Sequence, residues 1–383
     1  MADWSKLSID ISSLIHGELS VLDCIRVGAV CKQWNFACKL KYHCPTKKPQ
    51  SPWLVLPGEC DSTTIKFFSI LEKKTYKIPC PKPMIHRRVY IGSGHGWLVT
   101  VDDICNMHLL NPLTGAQIPL PPVTTLPFVS ARHNSHGQII EFVVEVPYGA
   151  NIISTLVFSF ERMRCIFFQK AVLSAAPDVD DNCLIMMICN NWKHLVVGRA
   201  RGEAWKCISL YHHYTNIIHR KGKFHSISDT GIVEVWEHDG SILRPRIIGS
   251  KIRYFLNQFM HYLVESLDGN LLLIVRAQED IKPSDNFLVF SLDEKEHKWK
   301  KVSNLHEQTL FLGYNHSMCL SARNFPELQH NCIYSTNNKL MYYQHGSHDM
   351  EIFYLKEKKT QQIYQLERQL NWPPPIWLTP SLS

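Results

Sequence analysis

Histidine and cysteine are the residues here most capable of chemistry: the chain holds 20 of the first and 13 of the second in 383 residues. Metal binding needs them clustered at short, defined spacings. No Cys-x-x-Cys pair occurs, and no His-Glu-x-x-His. His212-His213, and His345 with His348, stand without a Cys or carboxylate at structural-zinc spacing, so they read as scattered turn or surface histidines. Gly92-Ser93-Gly94-His95-Gly96 is rich enough in glycine to suggest a phosphate loop. It lacks the Gly-Lys-Ser/Thr of that loop and the helix that should follow, so a tight turn feeding a strand at Trp97 is expected. No Gly-x-Ser-x-Gly elbow is present. Nothing marks any cysteine as an activated nucleophile. The acids in Asp268-Gly269 and Asp229-Thr230-Gly231 suit hairpin turns. Paired carboxylates for glycoside chemistry are a matter of three-dimensional separation, which a sequence does not give. The expectation is no metal, no cofactor and no catalytic residue.

Composition narrows the class further. Hydrophobic residues at 45% imply a sizeable core, and charged residues at 20% argue against long disordered tails. The net charge of +7 is spread along the chain. Its one local run, Lys39, Lys41, Lys47 and Lys48, reads as a solvated linker, whereas a nucleic-acid binder concentrates its basic residues on one element. The longest apolar runs, Cys183 to Cys189 and Leu271 to Val275, are far short of the roughly 18 residues that cross a bilayer. The first residues are neither basic nor apolar enough for a signal peptide. Thirteen cysteines at irregular spacing suit a reduced compartment, so cytoplasm and/or nucleus is expected, and the sequon Asn315-His316-Ser317 is expected to be unused.

From Ser51 onward the texture is β. Short runs rich in Val, Ile, Phe, Tyr and Trp alternate with Gly, Pro, Asn and Asp turns, as in Trp53-Leu54-Val55-Leu56 and Gly96-Trp97-Leu98-Val99-Thr100-Val101. Gly222 to Trp236 holds two strands around Asp-Thr-Gly, and His261 to Val275 holds two more around Asp-Gly. The units recur about every 40 to 50 residues, the size of a four-stranded propeller blade. Dividing the region by that length gives roughly seven blades. Six is also compatible, because Ala175 to Asn182 reads as an insertion. A large β-sandwich is the other architecture such spacing permits. The last segment, from Trp372 through three prolines to Trp377, is expected to close the ring as a stiff final strand rather than to present a ligand.

Ahead of this region lie two compact helical segments. Ile11, Leu14, Ile15 and Leu19 fall at helical spacing on one face. Ser20 reads as an N-cap with Asp23 in the first turn. Leu22 and Ile25 continue the stripe, and Val30, Trp34 and Ala37 make another. Cys24, Cys31 and Cys38, seven apart, suit small buried hydrophobes. About forty residues is the lower limit for folding alone, so such a surface calls for a partner. The domain reading is a helical head over 1–42, a linker over 43–50 and a β domain over 51–383.

Leu7, Asp10, Leu14, Ile15, Leu19, Leu22, Asp23, Arg26 and the run Val30-Cys31-Lys32-Gln33-Trp34 resemble an F-box. The chain departs from that pattern at Ser8, where family members usually carry a proline that helps dock the adaptor. The β part is similar to the C-terminal domain of a large plant F-box family related to kelch-type propellers. Leu110-Asn111-Pro112-Leu113-Thr114-Gly115, Ile118-Pro119-Leu120-Pro121-Pro122 and Trp372-Pro373-Pro374-Pro375-Ile376-Trp377 carry that likeness. The resemblance implies a mainly β protein with a small α head: a three-helix F-box, then a six- or seven-bladed kelch-like propeller. It implies a substrate-recognition subunit of a Skp–cullin–F-box ubiquitin ligase. Leu7, Ile11, Leu14, Ile15, Leu19, Leu22, Ile25 and Val30 would bind a Skp-type adaptor, and through it a cullin–RING scaffold. Trp34 would anchor the head's own core. The β domain would hold an unidentified protein substrate, with rim loops around Ala175 to Asp181 and His345 to Asp349 as contact candidates. Two other functions fit the same residues: a relative that has lost adaptor binding, and a propeller lectin or enzyme whose N-terminal helices only pack.

Overall fold

The structure is a computed structural model that describes residues 7–19, 21–41, 51–56, 63–79, 82, 87–148, 152–210, 212–239, 242–252, 259–277, 287–336, 350–364 and 375–381. Three short helices come first: α1 (Ile9–Glu18), α2 (Val21–Gly28) and α3 (Lys32–Lys41). Ser20 and the loop at His345 to Asp349 lie outside the described residues, as do His345 and His348. Beyond the head, the described residues form seven sheets.

The turn residues work as their types dictate. His95 and Gly96 turn the chain at φ 53° and 83°, joining Val89–Gly94 to Trp97–Val101. The glycine cluster therefore builds a hairpin. Gly231 (φ 83°) and Gly269 (φ 72°) occupy the left-handed region in the Asp-Thr-Gly and Asp-Gly turns, where a residue without Cβ carries no steric cost. Apolar side chains alternate onto the faces of the strands they join and meet those of the next sheet. Leu263, Leu271, Leu273 and Val275 share a cluster with Val233, Val235 and Ile248 of the preceding sheet.

The first sheet is ordered Ile376–Leu378, Trp53–Leu56, Thr64–Ser69, Lys74–Pro79. Its inner strand comes from the end of the chain and pairs antiparallel with the first, Trp53 opposite Leu378 and Leu54 opposite Trp377. Trp377 is wholly buried, stands edge-on to Phe311 at 5.2 Å, and donates its indole N–H to the Leu312 carbonyl at 3.0 Å. The expected closing strand is present. Trp372 and the prolines at 373 and 374 lie outside the described residues.

Four other sheets are four-stranded, beginning at Val89–Gly94, Phe168–Leu173, Tyr214–Arg220 and Phe259–Glu265. Another has five strands, with one parallel pair between Gln308–Leu312 and Cys332–Thr336. The first strands of these sheets pack in succession, and Ile376–Leu378 packs on Val89–Gly94. Ala175 to Asn182, read as an insertion, is a loop between Phe168–Leu173 and Leu184–Cys189 and adds no element. The inserted piece is instead a three-stranded sheet of Val129–His133, Ile139–Tyr148 and Ile152–Phe158. Val89–Gly94 bypasses it and packs straight onto Phe168–Leu173. Those two strands approach so closely that a Cβ at Gly92 would collide with the Ala171 carbonyl. The extra sheet covers the outside of this junction through Phe142, Val144 and Phe158. Its alternating pattern is the same as that of the other strands, so periodicity alone does not set it apart.

Two substitutions test this closure. Trp377→Ala should lower the unfolding free energy by about 3–5 kcal/mol, the range for a buried aromatic cut to alanine. Gly92→Ala should cost about 1–3 kcal/mol through overpacking against Ala171. Urea unfolding followed by tryptophan fluorescence reads both, and midpoints equal to the wild type would contradict the packing described.

Candidate functional site

Helix α1 starts at Ser8, whose hydroxyl accepts the Ile11 N–H at 3.4 Å as an N-cap. Its far end is held by Leu19, whose N–H bonds the His16 carbonyl. The side chains that α1 buries are polar, Ser12 and His16. Its apolar side chains face water: Ile11 is 49% exposed, Leu14 71% and Ile15 44%. A helix that contributes only to its own core would show the reverse. Among the described residues of the head, the buried apolar side chains are Val21, Cys24 and Ala37, and the Cys24 thiol reaches the His16 carbonyl at 3.6 Å. Polar ties hold the three helices together. Gln33 Nε2 donates to the Leu7 carbonyl at 2.6 Å, and Asn35 Nδ2 to the Gly28 carbonyl at 3.0 Å.

Of the eight residues expected to face an adaptor, Ile11, Leu14, Ile15 and Val30 are exposed, Val30 at 67%. Leu7, Leu19 and Ile25 are half-buried. Leu22 lies on α2, and its side chain is outside the described residues. Trp34 is half-buried, and Ala37 on the same helix is buried. The sequence pattern missed Ile9 and Phe36, which are also exposed. Both lie beside residues of the stripe and were legible as apolar types, but helical spacing assigned neither to it. Arg26 pairs with Asp23 at 3.0 Å and lies over the Tyr76 ring at 5.7 Å, so α2 touches the first sheet.

A second site lies where the inner strands meet. A cavity of about 300 Å³ opens there, and Gln169, Lys193, Asn216, His261 and Tyr314 are among its lining residues. Beside it, Lys170 is buried and donates to Asn216 Oδ1 at 2.7 Å; Asn216 Nδ2 in turn donates to the His261 carbonyl at 2.7 Å. Three successive sheets are thus joined by one polar chain. Burial pushes the Lys170 ammonium down to about 7. Burial, with Lys193 nearby, pushes His261 down to about 3. Burial, with Lys170 and His95 nearby, does the same to His316. Tyr314 is pushed up to about 12 by burial. Asn315 is buried and donates its amide to the Tyr90 carbonyl, so the sequon side chain is engaged inside the ring.

Other candidates disperse. His212 faces Glu234 and His213 faces Asp229, each at 3.8 Å, so the adjacent pair does not converge on one point. Among the described residues no group of three or more His, Cys, Asp or Glu is placed to hold a metal ion. No described helix is long and apolar enough to cross a membrane. In the loop at Ala175 to Asp181, Val179 is 74% exposed, while Asp178 accepts the Trp97 indole N–H at 3.2 Å.

A succession of small sheets whose inner strands surround a polar axis, closed by pairing of the two ends, is the architecture of a β-propeller. Residues 67–354 match the family model described as the KIB1-4 beta-propeller, and the chain belongs to that family. It is similar along nearly its whole length to Arabidopsis thaliana proteins. It is 22% identical to the F-box protein SKIP23, over 99% of this chain and 96% of that one. It is 23% identical to the F-box/kelch-repeat protein KIB1, over 90% and 80% of the two chains. It is 21% identical to the F-box protein KIB4, over 94% and 90%. The expected resemblance to plant F-box proteins with a C-terminal propeller is borne out. Among solved structures, the periplasmic gluconolactonase PpgL of Pseudomonas aeruginosa is 11% identical with a TM-score of 0.34, covering 83% of this chain and 96% of that one, too distant to bear on activity.

The axial groups give a pH dependence whose sign follows from their protonation. His261 and His316 bind protons near pH 3 when folded and near 6.5 when unfolded. The unfolded chain therefore takes up more protons between those limits, and stability is lost as pH falls through that window. At pH 5 each should contribute a loss on the order of 1–2 kcal/mol relative to pH 7. Lys170, near 7 folded and 10.5 unfolded, adds stability as pH rises above neutrality. Urea unfolding across pH 5 to 9, on the wild type and His261→Asn, measures this; equal slopes in the two would remove His261 from the account.

Proposed function

We propose that the chain is the substrate-recognition subunit of a Skp–cullin–F-box ubiquitin ligase. The observation that carries the reading is the reversed polarity of α1, which buries Ser12 and His16 and presents Ile11, Leu14 and Ile15 to water. An apolar face of that kind on so small a head is stabilised by covering it. The F-box names of the full-length relatives supply the class of partner: a Skp-type adaptor, joined in turn to a cullin–RING scaffold. Leu7, Ile11, Leu14, Ile15, Leu19, Leu22, Ile25 and Val30 are proposed as the adaptor-binding set, with Ile9 and Phe36 added by their exposure. Residues 1–42 are the proposed F-box and 51–383 the substrate domain, acting in the cytoplasm and/or nucleus. The ring is read as six blades, with Val129 to Phe158 as an inserted sheet. Catalysis in this reading is by proximity: a target lysine is held near a thioester carried by another subunit, which raises its effective concentration. No residue of this chain makes or breaks a bond.

Ser8 stands where the family usually has proline. Its φ of −60° is one that proline adopts, and its hydroxyl replaces the lost ring by capping α1. The substitution therefore leaves the start of the helix intact. Ser8→Pro should fold, at a cost of about 1 kcal/mol for the missing cap.

Pull-down of a purified Skp-type adaptor by the full chain tests the reading. The wild type should retain the adaptor, and Leu14→Asp should abolish retention while the urea midpoint shifts by less than about 0.5 kcal/mol, since the site is exposed. Failure of both the wild type and Ser8→Pro to retain any adaptor would sink the proposal. Retention by Ser8→Pro alone would favour a relative that has lost adaptor binding.

A further inference from the structure

At the centre of the axial cluster a buried cation stands without an ion-pair partner among the described residues. Lys170 is buried, and its ammonium meets a neutral amide, Asn216. Among the described residues, no carboxylate pairs with it in an ion pair. The charged and titratable groups around it come from different sheets: His316 from the loop after Gln308–Leu312, His95 from the hairpin after Val89–Gly94, and Lys193 and His261 at the cavity. All are bases, and the acids that act on them are already engaged: Asp178, which acts on His95, accepts the Trp97 indole N–H, and Asp229, which acts on Lys193, faces His213.

A structural role alone explains this poorly. Burying an ammonium costs several kcal/mol unless an opposite charge and hydrogen bonds compensate, and a methionine of similar size would pack there without that cost. An ammonium offers three donors, and one is used by Asn216. Asn216, which takes that bond, lies on the wall of a cavity of about 300 Å³ together with Lys193 and Tyr314. That volume is at the low end for a ligand site, and it admits a side chain or a small ion but not a folded surface. Donors of positive sign around such a space select an oxyanion, whose charge replaces the missing counter-ion and whose oxygens accept the free N–H bonds.

We propose that the axial cavity is an oxyanion site, occupied by a carboxylate or phosphate on a peptide segment of the captured protein, with Lys170 and Lys193 as its cationic groups. Binding would draw a proton onto Lys170, so affinity should fall as pH rises above neutrality. The assignment of the anion to a ubiquitination target rests on the function proposed above; the presence of the site does not. The shared chemistry has two sources, a free anion or an acidic side chain, and the test separates them.

Calorimetric titration of the full chain uses three probes: inorganic phosphate, a short peptide bearing phosphoserine, and the same peptide bearing glutamate. Its serine form is the control. The wild type should bind at least one acidic peptide more tightly than inorganic phosphate and should ignore the serine form. Lys170→Met and Lys193→Met should each weaken binding about tenfold or more. Lys170→Met should be at least as stable to urea as the wild type, which separates lost binding from lost folding. Phosphate binding that both variants lose, without any gain from the peptide, would place a free anion in the site and overturn the peptide assignment. No binding of any probe to the wild type, or binding by both variants as tight as by the wild type, would overturn the site itself. Adaptor retention by the head is read separately in pull-down, so failure of one reading is not mistaken for failure of the other.

Discussion

The pairing of Ile376–Leu378 with Trp53–Leu56 is the contact on which the β domain depends. It joins strands more than three hundred residues apart, so it closes the whole β domain into one loop. The entropy of such closure grows only slowly with length, by about 0.6 kcal/mol per doubling, so a three-residue strand suffices if its side chains are well buried. Trp377 meets that condition. It is sealed between the first and last sheets and its one polar atom is satisfied by Leu312. Ser93 ties the same strand to the second sheet by donating to the Trp377 carbonyl at 2.6 Å. The ends of the ring and the strand beside them are fixed by a single residue and its neighbours.

Closure has a consequence at the centre. Inner strands brought around an axis cannot fill it with apolar side chains as they fill the spaces between sheets, because each contributes an edge rather than a face. Polar groups therefore gather there: Lys170, Asn216, His261, Asn315 and His316. Asn216 mediates between two sheets with both ends of its amide. Between the sheets the packing is of the opposite kind, dense and apolar, and tight enough at one junction that only glycine fits against Ala171.

The head follows a different rule. So short a head buries few side chains, and on α1 the apolar ones stay exposed. Ser12 and His16 go inward, with His16 Nδ1 bonded back to the Ser12 carbonyl, while the isoleucines and Leu14 stay outside. Gln33 and Asn35 tie α3 by hydrogen bonds to the residues that flank α1 and end α2. The head touches the β domain through Arg26, which lies over the Tyr76 ring.

The sequence by itself determined what is local. Strand runs such as Trp53 to Leu56, the Asp-Gly and His95-Gly96 turns, the closing tryptophan and the stripe of Ile11, Leu14, Ile15 and Val30 are all set by residue type and spacing within a few positions. Propensity and periodicity act over that distance, and they were legible. Tertiary structure decided what spans many positions. It set the strands of Val129 to Phe158 outside the ring, although their alternation is the same as that of the strands within it. It buried Ser12 and His16, reduced Trp34 to partial cover, and exposed Ile9 and Phe36. It also brought Lys170, Lys193, His261 and His316 to one axis from four separate stretches of chain. Their convergence has no signal in spacing, because distance along the chain says nothing about which inner strands face each other until the ring is closed.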